Sequence, residues 1–145
     1  MAFRFSLAQV LRVRESIEKR EEQALQRAEL EVAQTQRRIE DLTNEMAKAE
    51  HARAEALLRS IRAIDLQNMQ AEMEAAAEAR RTLVEMLETL KQQRDLQMKL
   101  YQEAHNGRQM LTDLEEEHRA EYEAEQTRAQ QKRLDDLFAA RAQRS

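Results

Sequence analysis

The feature that most constrains this chain is its almost complete lack of turn residues. It has one glycine and no proline in 145 residues, whereas an ordinary chain of this length holds roughly 17 of the two together. Sandwiches, barrels and wound α/β domains need such residues about every dozen positions to connect their strands. The sequence therefore excludes these sheet folds and predicts an all-α protein.

The apolar side chains are too small to fill a thick globular core. Alanine alone contributes 23 residues, and the only aromatic residues are three Phe and two Tyr. Little side-chain volume is then available for burial in a chain of this size. We therefore predict a long, thin helical protein.

Charge and composition exclude several classes of protein. The net charge of −4 argues against binding nucleic acid through bulk electrostatics, and the absence of cysteine removes disulfides and thiolate metal ligands. No apolar run approaches the ~20 residues that cross a membrane. Arg4, Arg12 and Arg14 interrupt the start of the chain, which is unlike a secretory signal. We expect a cytoplasmic protein without direct membrane insertion.

Apolar residues recur every three or four positions through most of the chain. In the first half they run from Leu7 to Ile64, with a one-residue slip near Arg53. In the second half a heptad repeat extends from Ala79 to Leu114. Repeats of this length with charged flanking positions are typical of coiled coils.

Two places are candidates for a turn between the halves. Asn106 followed by Gly107 is the stronger turn dipeptide, but a turn there would leave roughly 60 residues of the apolar seam unmatched. A turn at about 63–70, with Asp65 as a possible N-cap, joins two halves of similar length. We predict a long antiparallel two-helix coiled-coil hairpin, with helices at about 5–62 and 71–142. The alternative is one continuous helix in a parallel homodimer.

The bulky apolar residues lie near the two ends of the chain, which also carry an excess of basic residues. Phe3 and Phe5 lie at one end and Phe138 at the other, and residues 1–20 and 127–145 each have a net charge of +3. An antiparallel hairpin would bring these ends together in one basic, apolar tip, suited to an acidic or apolar socket in another protein. Two alternatives stay open: the Phe residues staple frayed ends together, or a basic amphipathic helix lies on an anionic membrane.

No constellation of residues indicates catalysis. The histidines, His51, His105 and His118, would lie far apart in a hairpin, so that no three-ligand metal site would form. The sequence also lacks a glycine-rich phosphate loop and a candidate nucleophile. We expect a protein that is not an enzyme and that uses no cofactor or metal.

Both ends of the chain resemble the bacterial flagellar FliJ family. The resemblance lies in FRFSLAQVLRVRE at residues 3–15, QKRLDDLFAAR at 131–141 and RQMLTDL at 108–114. It implies an antiparallel two-helix coiled coil, similar to the central stalk of rotary ATPases, that acts as a stalk and export chaperone in the flagellar type III export apparatus and links the export ATPase to the export gate. Implied partners are the hexameric export ATPase, the cytoplasmic domain of the export gate and export chaperones. The implied location is the cytoplasmic face of the inner membrane, reached peripherally through the apparatus.

The resemblance also implies which residues contact partners. Matching motif positions carries over Leu7, Leu11, Arg14, Leu134 and Asp135, and the expected tip completes the candidate ATPase-binding set, which is Phe3, Phe5, Leu7, Val10, Leu11, Arg14, Leu134, Asp135, Leu137 and Phe138. Family members tend to carry an aromatic-rich stretch for the gate, and this chain offers instead Leu66, Met69 and Met73. Two alternative functions remain, a self-associating coiled-coil spacer and the equivalent stalk of a virulence-type injectisome.

Overall fold

The computed structural model describes residues 2–144, and within them the regular structure consists of two α-helices. Helix α1 is Ala8–Leu57 and helix α2 is Ala63–Arg144. The two helices pack against each other in antiparallel directions, because the contacts between them join early residues of α1 to late residues of α2. The predicted all-α class and the antiparallel hairpin are confirmed, and the continuous helix in a parallel dimer is not observed.

The segment between the helices lies earlier than the turn that we expected at 63–70. Residues 58–62 separate α1 from α2, and 63–70 are helical. Asp65 does not cap the helix from outside but lies in the first turn of α2, where a carboxylate stabilises the helix dipole. Its Oδ2 accepts a hydrogen bond from Arg62 Nε at 3.2 Å, and Leu66 N donates to Arg62 O at 3.2 Å. Arg62 therefore occupies the N-cap position that Asp65 was expected to take.

Asn106 and Gly107, the rejected turn candidate, lie inside α2. The Arg14 side chain from α1 covers Gly107, so that a Cβ added there would meet Arg14 Nη1 at 3.4 Å, an ordinary contact distance. An alanine would therefore also fit here, and the contact with Arg14 does not require a glycine. Gly107 does not break the helix.

The chain divides into two compact units. One consists of Glu21–Leu100 and contains the segment between the helices; the other combines the residues up to 20 with those from 101 onward. For the described residues, no helix is both long enough and apolar enough to cross a membrane.

The unit Glu21–Leu100 has a thin interior that includes polar groups. Its buried residues are Leu25, Val32 and Thr35. Gln97 donates from Nε2 to the Glu21 backbone oxygen at 3.2 Å and to the Glu21 carboxylate. Arg80 Nε likewise donates to Thr43 Oγ1 at 2.9 Å. Directional hydrogen bonds thus join the two helices where large apolar side chains are few.

We expect the few buried residues to carry most of the packing energy. Leu25 is 7% exposed and Leu30, on the same helix, is 57% exposed. Leu25→Ala should lower the free energy of unfolding by roughly 2–3 kcal/mol, because it leaves a cavity, whereas Leu30→Ala should change it by less than ~0.5 kcal/mol. Urea unfolding followed by circular dichroism measures both. Equal effects of the two substitutions would contradict the described packing.

Candidate partner-binding surface

The N-terminal segment before α1 is folded back onto α2 by its two phenylalanines. The Phe5 side chain is buried and meets the His118 ring edge to face, with the centroids 5.7 Å apart. The Phe3 ring lies 5.6 Å from the Tyr122 ring, and the Arg119 guanidinium stands 5.5 Å from the Phe3 centroid. Stacking and cation–π contacts of this kind favour one position of the segment. We call residues 2–7, held in this way, the N-terminal strap.

An interhelical ion pair holds α1 to α2 beyond the strap. Arg108 Nε donates to Glu18 Oε2 at 2.6 Å, and both side chains are mostly buried. His105 Nδ1 lies 3.7 Å from the same carboxylate oxygen, and Arg108 also donates to Thr112 Oγ1 at 3.3 Å. Its remaining contacts with Gln109 and His105 make the guanidinium a node of a small network.

The hydrogen bond to Glu18 raises the pKa of Arg108 above its ordinary value, against a smaller opposing effect of burial. Because this pKa is raised by folding, the arginine contributes its stabilisation at every pH below the ordinary arginine pKa. That stabilisation is lost only as the pH rises through the still higher folded value. The arginine side of the pair is therefore insensitive to pH in the physiological range.

The expected ATPase-binding residues near the N-terminus differ in how accessible they are. Phe5 and Leu11 are buried, and Phe3 and Leu7 are half-buried. Val10 and Arg14 are exposed, together with Val13, which lies one residue before Arg14. Only the exposed side chains offer a surface to a partner, and the buried ones hold the strap and α1 in place.

The expected residues near the C-terminus lie on the exposed last part of α2. Every residue from 123 to 144 is exposed, and we call this segment the α2 tail. Leu134, Leu137 and Phe138 are 50%, 61% and 66% exposed, and their spacing places them on one side of the helix. Asp135 accepts a hydrogen bond from Gln131 one turn earlier, at 3.3 Å. The tail thus presents an apolar row within a basic segment.

The shared tip expected from the two chain ends is not formed. Phe3 and Phe5 pack on Tyr122 and His118, whereas Leu134 and Phe138 lie at least twelve residues further along α2, which is about 18 Å at 1.5 Å per residue. The cause is the unequal length of the helices: α1 has 50 residues and α2 has 82. The earlier turn adds to this offset. When the turn of an antiparallel hairpin moves by one residue, the α2 residue that lies opposite a given α1 residue changes by two residues.

The three residues expected to contact the export gate lie early in α2. Leu66, Met69 and Met73 are half-buried. The two methionines line a groove of about 320 Å³ whose other walls are alanines and Leu42, Met46, Glu45 and Glu72, and Leu66 is not part of its lining. The flexible thioether walls and acidic rim of this groove suit an apolar segment with basic flanking residues.

His118, Arg119 and Tyr122 form the other half of the strap contact, and sequence reasoning missed them. His118 and Tyr122 are four residues apart and therefore share one side of α2. Their spacing is visible in the sequence, but most of their neighbours are acidic, and nothing in the pattern indicates that this side of α2 holds the N-terminal segment. Among the described residues there is no group of three or more His, Cys, Asp or Glu side chains arranged to hold a metal ion.

Comparison with known proteins identifies a family. A family model described as flagellar FliJ protein matches residues 3–145, and the resemblance seen in the terminal motifs is thereby confirmed. No curated protein shows significant similarity. No solved structure shows significant similarity either.

The strap should detach when its buried anchor is removed. Phe5→Ala should accelerate tryptic cleavage after Arg4 roughly tenfold, because the loss of ~1.4 kcal/mol of local packing raises the population of the open segment by that factor. The measurement is the rate of appearance of the cleaved chain by mass spectrometry. Phe138→Ala, which changes an exposed residue elsewhere, serves as the control and should leave this rate unchanged. A strap that is cleaved equally fast in both variants would not be held by Phe5.

Proposed function

Since this chain belongs to the flagellar FliJ protein family, we propose that it is a non-enzymatic stalk that binds the hexameric export ATPase of the flagellar type III export apparatus. Family membership by itself makes it a flagellar export-related protein. The more specific role rests on the α2 tail, whose apolar row Leu134, Leu137 and Phe138 is exposed.

The α2 tail has the chemistry of a segment that enters a partner. Exposed apolar side chains lose surface contact with water when they enter a socket, which contributes roughly 1.5–3 kcal/mol for each fully buried side chain. The net charge of +3 over residues 127–144 would speed the approach to an acidic binding site. We propose that Leu134, Asp135, Leu137 and Phe138 contact the ATPase directly.

The N-terminal residues supply a second, separate contact in this proposal. Val10 and Arg14 are exposed on α1 and are accessible to the ATPase, whereas Phe5 and Leu11 are buried and act by holding α1 in position. Phe3 and Leu7, which are half-buried, contribute at the edge of this contact. The proposed binding surface therefore consists of two patches and not of one shared tip.

We further propose that the methionine-lined groove binds the cytoplasmic domain of the export gate. Met69 and Met73 supply an adaptable apolar wall, and Leu66 lies about one turn before Met69 on the same helix, where it extends the apolar surface beyond the groove. Export chaperones are proposed as additional partners. The protein would then work in the cytoplasm, at the inner face of the membrane, through its contacts with the apparatus.

Loss of the apolar row should weaken ATPase binding. The double variant Leu137→Asp with Phe138→Asp should bind the purified hexameric export ATPase about a hundredfold more weakly, from the loss of roughly 3 kcal/mol of apolar burial. Isothermal titration calorimetry measures the affinity. Leu96→Asp, at a residue that is 62% exposed but far from the tail in sequence, is the matched control. Unchanged affinity of the double variant would refute the proposed contact.

Binding to the export gate should depend on Met73 in the methionine-lined groove, and not on the apolar row of the α2 tail. Met73→Glu should reduce the affinity for the isolated gate domain at least tenfold, because a third carboxylate joins Glu45 and Glu72 in the groove. Binding to the ATPase should stay the same. Met110→Glu, which changes an exposed methionine outside the groove, is the control. If both methionine variants bind the gate domain normally, the groove is not its site.

A further inference from the structure

The end of α2 carries a regular seam of exposed positions. Its positions alternate in steps of three and four residues and comprise Glu117, Ala120, Ala124, Thr127, Gln131, Leu134, Phe138 and Arg141. All of them are exposed. Such spacing is the pattern by which one helix packs along another. We call these eight positions the tail seam.

The tail seam does not continue the side of α2 that holds the strap. On that side His118 meets Phe5 and Tyr122 meets Phe3. Leu134 follows His118 by sixteen residues, which at 3.6 residues per turn corresponds to a rotation of about 160° around the helix. Leu134 therefore points away from the side of α2 that holds the strap, and Phe138, which follows Tyr122 by the same sixteen residues, does so too.

We propose that the tail seam binds the tail seam of a second copy of this chain, with the two helices antiparallel and the two-fold axis at the level of Ala129, midway between Thr127 and Gln131. This pairing does not depend on the proposed ATPase contact. Because the axis passes at this level, each residue of one copy faces a residue of the other copy that lies equally far from Ala129 in the opposite direction along the chain. This reciprocal pairing is common to all isologous interfaces.

Side-chain sizes are complementary in this register. Phe138 of one copy faces Ala120 of the other copy, and Leu134 faces Ala124. Each large side chain thus lies opposite a small one, which allows the helices to approach closely without a clash or a void.

A polar pair lies on each side of the axis. Gln131 of one copy faces Thr127 of the other copy, and the Thr127 hydroxyl already donates to the Glu123 backbone oxygen at 3.0 Å. Its oxygen can therefore accept a hydrogen bond from the Gln131 amide. A polar contact within an otherwise apolar seam specifies one register.

Charge selects the antiparallel direction. Residues 113–125 contain seven carboxylates and one arginine, a net charge of −6, whereas residues 127–144 have a net charge of +3. In the antiparallel register Glu117 faces Arg141 at the end of the seam, and Glu116 lies near Arg144. A parallel pair would place the acidic segment of one copy against the same segment of the other, which is unfavourable.

The contact is small, so that the pair should be transient. Only Leu134 and Phe138 contribute large apolar side chains to the seam from each copy, and an interface of this kind falls in the class that buries less than ~1,200 Å². The pairing uses two residues of the proposed ATPase contact. Self-association would therefore cover Leu134 and Phe138 in the free protein and be displaced when the partner binds.

Cysteine cross-linking tests the pairing directly, because the full chain has no cysteine of its own. Thr127→Cys chains mixed with an equal amount of Gln131→Cys chains bring the two thiols face to face, and mild copper–phenanthroline oxidation should join most chains into disulfide dimers. The matched control replaces Thr127→Cys by Ala129→Cys, which lies about 160° around the helix from both seam positions and should leave the chains monomeric. Cross-linking in the test mixture at no more than the control level would overturn the proposal.

Each cysteine variant alone distinguishes the direction of the helices. In the antiparallel register two Thr127→Cys thiols are offset by four residues, about 6 Å along the axis, in addition to the separation across the interface. The distance between the two Cα atoms, which combines this offset with the separation of the helices, exceeds the ~7 Å that a disulfide allows. The same holds for two Gln131→Cys residues. Either variant alone should therefore cross-link poorly. Efficient cross-linking of each variant with itself would indicate a parallel pair and contradict the inference.

A further measurement shows whether the apolar row drives the association. Adding Phe138→Asp to both cysteine chains should reduce the cross-linked fraction at least fivefold, whereas adding Leu96→Asp should leave it unchanged. Both substitutions are at exposed residues and should preserve the circular dichroism of the helices. Sedimentation velocity of the unmodified chain should show a reversible, concentration-dependent increase in mass. A strictly monomeric chain at all concentrations would refute the pairing, with or without an ATPase contact.

Discussion

The alignment of the two helices is the constraint on which the other features of this protein depend. Two antiparallel helices with an alanine-rich seam have few interlocking large side chains to prevent one from sliding along the other. In the unit Glu21–Leu100 the alignment is specified by hydrogen bonds from Gln97 to Glu21 and from Arg80 to Thr43. In the other unit it is specified by Arg108 and Glu18. Polar groups that contribute little net stability can thus select one register among several of similar packing energy.

This alignment also decides which apolar residues stabilise the protein and which are available to partners. Leu11 and Phe5 face α2 and are buried, whereas Leu137 and Phe138 lie where α1 no longer accompanies α2 and are exposed. The terminal motifs that relate this chain to its family therefore have different roles. The first holds the strap and α1 in place, with a few exposed residues, and the second offers an apolar row. In the proposed function these roles are complementary, since a partner needs both an ordered support and an accessible surface.

The helical hairpin followed from the sequence because its causes are local. One glycine, no proline and a sustained apolar repeat leave no other class of fold. The position of the turn did not follow, because residues 58–62 contain no glycine, proline or asparagine to mark it. An aspartate stabilises a helix both at the N-cap and within the first turn. Asp65 therefore indicates that a helix starts nearby but does not locate the start to within a few residues. The sequence likewise indicates which apolar residues lie near the chain ends but not how they are arranged. The prediction of one shared tip assumes a hairpin with two helices of similar length. The unequal helices, of 50 and 82 residues, remove that symmetry.

The strap has a practical consequence for anyone who attaches a label or fusion to this chain. A group linked ahead of Phe3 emerges beside Tyr122 and Arg119, in the middle of the second half of α2, and would report on that neighbourhood. A group linked after Arg144 emerges next to the apolar row. The two ends of the polypeptide thus give spectroscopic or microscopic access to different faces of the same helix, and swapping a tag from one to the other changes which interaction it obstructs.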